Sequence, residues 1–149
     1  MPYKRMENLY ASYCDSVALR VVHSEREIDR LDKLVQKNAL QQQDVDNRIA
    51  NIWLAVCDMN LTKFIIYQHK REEALLLFDL QRLSMELQNL YDLKNDEISR
   101  CKRLIRLRTH YERKRKKWEL CYQRIKVQHK LKEINKEEQL AEECSSWTV

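Results

Sequence analysis

Between Ile28 and Met59 the apolar side chains keep a heptad. Ile28, Val35, Gln42, Ile49 and Val56 fall at one position of it, and Leu31, Asn38, Val45, Ile52 and Met59 at the other. Eight of these ten suit the seam of a coiled coil. A repeat of this kind commits the stretch to a helix with one apolar stripe, and it commits that stripe to a partner helix. Asn38 and Gln42 make a polar step in the seam. The step is either a register-fixing pair, bought at some stability, or a solvated gap where the partner helix draws away. Upstream, Leu9, Tyr13, Val17 and Val21 recur at intervals of four, which marks one helical face. Met1 to Asn8 is polar and reads as a frayed lead-in.

Asp58-Met59-Asn60-Leu61-Thr62 interrupts the pattern. Asp, Asn and Thr together are a turn signal, and the Thr62 hydroxyl is placed to accept from the amides of a following helical turn. The capping-box acid is absent, because Ile65 stands three residues on. A tight reversal here competes with a continuous helix. Beyond it, Leu76, Leu80, Leu83, Leu87 and Leu90 alternate steps of four and three. Carried on unbroken, that register reads Lys94, Glu97, Cys101, Leu104, Arg108, Tyr111, Arg115, Trp118, Tyr122 and Ile125. A rival path through Ile98, Cys101 and Ile105 requires a four-residue stutter; the unbroken register is preferred.

The expected fold is therefore all-α, two long antiparallel helices forming a coiled-coil hairpin. It has one domain over 1–149, with a helix over about 5–57, a turn over about 58–62 and a helix over about 63–143. At 1.5 Å per residue the helices are roughly 75 and 120 Å long. Residue 62 + n then lies opposite 60 − n, which leaves everything after Trp118 without cover from the first helix. Glu137, Glu138, Glu142 and Glu143 carry the wrong sign for a helix C-terminus, so fraying is expected there.

Composition supports helices and excludes several functions. The 149 residues include no Gly and a single Pro, Pro2, so sheet turns are scarce. Phosphate-cradling loops, dinucleotide-binding turns and nucleophile elbows all need Gly and are absent. No catalytic constellation emerges, no cofactor site is expected, and no metal site either. The five cysteines are scattered without metal-ligand spacing and read as reduced thiols. His23, His69, His110 and His129 share no spacing and are expected to face solvent, and Glu72 and Glu73 read as surface charges. The longest purely apolar run, Ile52 to Cys57, is far too short for a membrane span, and no signal peptide is evident. The expected setting is a reducing cytosol.

Charge is concentrated in one place. Residues 100–132 hold fourteen Lys or Arg against two Glu, while 1–99 and 133–149 are each net acidic. A charge run is ordinarily a solvated face, but a surplus this dense points to an acidic partner. Nucleic acid is a secondary candidate: a bZIP-type basic region precedes its zipper, whereas this one follows the leucine seam. Single-strand readers generally use sheet platforms, and no strands are evident. Trp118 and Tyr122, one turn apart and uncovered in the expected hairpin, join the cations Arg113, Lys114, Lys116, Lys117 and Arg124 as a candidate protein-binding hot spot. At the other end Phe64 and Tyr67 follow the turn within an apolar run. They belong either to a packed hairpin tip or to a docking knob.

Tyr122-Gln123-Arg124 shortly after Trp118, and the ending Lys136-Glu137-Glu138-Gln139-Leu140-Ala141-Glu142-Glu143, cover a small part of the chain. With the Gly-free basic two-helix pattern, they resemble the central-stalk proteins of bacterial type III secretion, the SpaM-like group related to the YscO and FliJ families. The resemblance implies a non-enzymatic hairpin similar to the shaft of a rotary ATPase. The open end, with Arg113 to Arg124, would enter a hexameric secretion ATPase. The tip, with Phe64 and Tyr67, would face an export gate protein, and some members of the family bind secretion chaperones. Location would be cytoplasmic, against the inner-membrane export apparatus. A nucleic-acid-binding helical protein and a generic coiled-coil tether remain the alternatives.

Overall fold

The computed structural model describes residues 2–57 and 62–147. Helix α1 runs Pro2–Val56 and helix α2 runs Lys63–Trp147, and the two pack against each other as an all-α helical hairpin. Most of the expected turn, Asp58 to Leu61, lies outside the described residues. Thr62 does not, and it caps α2 as its sequence position suggests. Its Oγ1 accepts from the Ile65 amide at 3.4 Å and its carbonyl from the Ile66 amide at 3.2 Å. Thr62→Ala is expected to lower stability by about 0.5–1 kcal/mol, read from the midpoint of urea unfolding.

Both helices outrun the expected limits. No lead-in separates Pro2 from α1, because proline has no N–H to leave unpaired and its fixed φ suits a first helical position. The acidic ending does not stop α2 either. Good helix formers continue through Glu143, and the Ser145 and Ser146 hydroxyls donate to the carbonyls of Glu142 and Glu143 at 3.0 and 2.8 Å. No helix among the described residues is long and apolar enough to cross a membrane.

The contacts divide into two compact units, one formed by Val22–Lys102 and the other by Met1–Val21 with Arg103–Val149. In the first unit Leu31, Val45 and Val56 of α1 and Leu83 and Cys101 of α2 are buried, as the heptads require. Three polar contacts fix their alignment. Ser24 Oγ donates to Glu97 Oε1 at 2.7 Å, Lys94 pairs with Asp32, and Asn38 Nδ2 donates to the Leu83 carbonyl at 3.0 Å. Between the first and last of these, fourteen residues forward on α1 match fourteen backward on α2. The expected pairing puts residue 84 opposite 38; the observed register differs by one. Lys94 and Glu97 are thus functioning seam positions, and Ile105 is exposed, so the unbroken register holds and the stutter does not.

The polar step is a buried pair rather than a solvated gap. Asn38 is 4 % exposed, and its Oδ1 accepts from Gln42 Nε2 at 2.8 Å. A buried amide with both ends satisfied opposes slippage, since any shifted register strands it among apolar groups. Leucine at this place would bury more apolar surface. Asn38→Leu is therefore expected to raise the unfolding free energy by about 1 kcal/mol while loosening alignment. Urea unfolding with disulfide trapping between the helices reads both; a loss of stability would contradict the reading.

In the second unit Cys14 and Val17 of α1 are buried, and Val21 is buried with them. The four-residue face expected through Leu9, Tyr13, Val17 and Val21 is buried at Val17 and Val21 but not at its start, where Leu9 and Tyr13 are more than 40 % exposed. Steps of four advance the stripe about 40° each time around a 3.6-residue helix, so such a face rotates away from a straight partner. The packed line instead continues the heptad upstream, through Tyr3, Tyr10, Val17 and, in the other unit, Ser24. Here Tyr3 meets Trp118 and Tyr10 meets Tyr111, seven forward for seven back.

Candidate partner-binding surface

The basic residues singled out by the sequence lie on α2 within the second unit. Arg113, Lys116, Lys117 and Arg124 are exposed, and Lys114 is half-buried. An α-helix spreads four consecutive cations around most of a turn, so only part of such a run can share one face. Among the described residues none of these five is held by a carboxylate of its own chain. Their charge is available to a partner. Nearby cations are engaged to different degrees, as Arg108 lies 4.0 Å from Glu112.

Trp118 and Tyr122 differ from expectation. Neither is uncovered: the Tyr3 ring lies 5.7 Å from the Trp118 ring, tilted by 47°, and the Lys4 ammonium stands 5.7 Å over the Tyr122 ring. Tilted ring pairs and an ammonium over an aromatic face are both favourable arrangements. The cover extends past Trp118 because the Lys4 side chain reaches beyond its own backbone position. Both aromatics stay half-buried, and every residue from Gln123 to Trp147 is exposed. Self-pairing along α2 therefore gives way at Tyr122, inside the basic segment.

Sequence reasoning missed the aromatic cluster behind this junction. Tyr10, Tyr13 and Tyr111 stand with ring centroids 5.3 to 6.1 Å apart, and Tyr3 with Trp118 continues the line. The signal was available, since stepping back by sevens from Leu31 reaches Ser24, Val17, Tyr10 and Tyr3. Beside the cluster Cys14 is buried; desolvation first, and the Glu112 carboxylate second, push its thiol pKa up and keep it protonated.

Phe64 and Tyr67 are 70 and 75 % exposed on the first turns of α2. The apolar runs around the reversal divide by face. Ile52, Val56, Ile65 and Ile66 turn inward, whereas Leu54, Phe64 and Tyr67 face outward. Phe64 and Tyr67 belong to one compact unit and the basic cluster to the other. His69 departs from the expected solvent-facing set. Its Nδ1 is buried without a hydrogen bond, 3.8 Å from Glu72 Oε2. Among the described residues no three of His, Cys, Asp and Glu gather as a metal site.

No protein-family model, curated protein or solved structure matches the chain.

Proposed function

We propose that this chain is a non-enzymatic stalk of a type III secretion export apparatus, coupling a hexameric ATPase ring to a membrane export gate. The observation that carries the reading is the change at Tyr122. Within the basic segment α2 passes from a face covered by its own chain to one that is exposed all round, while Arg113, Lys114, Lys116, Lys117 and Arg124 remain without carboxylate partners. A helical element of this kind suits a ring lumen of acidic or polar lining, where diffuse charge attracts without locking one orientation. The heptad seam supplies the stiffness a coupling element needs, and the buried Asn38–Leu83 contact holds its two helices against sliding. Phe64 and Tyr67 are the residues offered to the gate, and secretion chaperones are further partners on this reading. The protein would work in the cytoplasm against the inner membrane.

Nucleic acid is the rival for the same cations. Binding of the full chain to a purified secretion ATPase, measured against salt with and without competing DNA and RNA, separates the two. The stalk reading expects ring binding that competing nucleic acid does not displace. Tight, sequence-independent nucleic-acid binding that collapses with salt, and no ring binding, would overturn it.

A further inference from the structure

Beyond the intrachain seam α2 carries a second apolar line. Leu120, Val127, Leu131 and Ile134 are 50–56 % exposed, all on one unpartnered face. Their spacing, filled in with Arg124, Glu138 and Ala141, is an unbroken alternation of four and three over three heptads. This face lies close to the opposite side of the helix from the seam positions Trp118, Tyr122 and Ile125. A helix continuing the line of α1 would cover 125, 129 and 132, not these residues.

We propose that a second copy of the chain covers this face, as an antiparallel two-helix pairing centred on Leu131. Charge chooses both the occupant and the direction. Residues 120–132 carry Arg124, Lys126, Lys130 and Lys132 and no acid, and residues 133–143 carry Lys136 against five Glu. The halves are equal and opposite, at +4 and −4, and they meet beside Leu131. Antiparallel pairing lays residues 120–128 of each copy, with Arg124 and Lys126, on the other copy's acidic 133–141, and leaves only Lys130 and Lys132 to meet like charge at the centre. Leu131 then meets Leu131, Val127 meets Ile134, Leu120 meets Ala141, and Arg124 meets Glu138. Parallel pairing would set Arg124 on Arg124 and Glu138 on Glu138, and like charges in register oppose association. The alignment repeats the mode seen within the chain, where Tyr10 and Tyr111 meet seven residues from Tyr3 and Trp118. The inference shares Arg124 with the basic junction and otherwise rests on residues that are not among its cations, and it is tested on the chain alone, without the ring.

Sedimentation equilibrium of the full chain tests it. A concentration-dependent dimer is expected, with Leu131→Glu raising its dissociation constant about a hundredfold or more. Arg124→Glu alone should weaken it about tenfold, and adding Glu138→Arg should restore it. Circular dichroism checks that the helices survive, as exposed positions allow. Direction is read by oxidation in a Cys57→Ser, Cys121→Ser, Cys144→Ser background, where Leu131→Cys should give a disulfide-linked dimer and Glu138→Cys should not. The proposal is overturned by a chain that stays monomeric at high concentration, or by a dimer indifferent to Leu131→Glu. Failure of the charge rescue, or equal cross-linking at both positions, would also overturn it.

Discussion

Truncating Leu31 or Leu83 to alanine is expected to cost about 2–4 kcal/mol each, whereas Leu75→Ala should cost less than about 0.5 kcal/mol. The three side chains are chemically identical, and only their place on the helix differs. Leu31 and Leu83 are 3 and 5 % exposed within one packed unit, while Leu75 is 63 % exposed. A seam between two helices is one layer deep, so a cavity there has few neighbours able to relax into it. Leu75 stands beside the seam residue Leu76 and the exposed Leu77, so composition alone cannot separate them. Urea unfolding followed at 222 nm gives the three values. Equal costs at Leu75 and Leu83 would mean that α2 is rotated from the register described here.

On the proposed stalk function, reversing Arg113, Lys114, Lys116 and Lys117 to Glu is expected to reduce association with a secretion ATPase ring on the order of a hundredfold or more, because like charges brought together at an interface cost several kcal/mol. None of the four has a carboxylate partner among the described residues, so the reversal breaks no ion pair. Glutamate is itself a good helix former, and the helix content should hold. The effect should shrink as salt rises, since screening removes attraction from the native chain and repulsion from the variant alike. Lys33→Glu with Lys37→Glu, two exposed cations of the other unit, is the control, expected to change binding by less than about twofold. Titration by fluorescence anisotropy at two salt concentrations measures both. An unchanged affinity in the fourfold variant would remove the basic junction from the interface.

Periodicity carried much of the fold in advance. The seams from Ile28 to Val56 and from Leu76 to Leu90 were legible because large aliphatic residues mark most of their positions, and Thr62 because its hydroxyl falls where orphan amides begin. The first twenty residues were read only in part, for a physical reason. Cys14 is a small seam residue, and Tyr10 competes with its neighbour Leu9, so the heptad hides behind a more conspicuous interval of four. Asn38 shows a different limit. A polar residue in a seam signals either a specific contact or a gap, and only the Leu83 carbonyl within reach decides between them. At Trp118 and Tyr122 the covering groups are the ring of Tyr3 and the long side chain of Lys4, whose reach no count of backbone positions supplies. The chemistry of the partner stayed least legible, because a row of cations on a helix states a sign and a density but not an identity.

Affinity purification of the full chain from its native host after nuclease treatment, with the fourfold charge-reversal variant in parallel, tests the central claim most directly. The account predicts that a hexameric secretion ATPase is identified with the native chain and lost with the variant. Recovery of nuclease-sensitive RNA or DNA complexes without any ATPase, or the same ATPase with both chains, would contradict it.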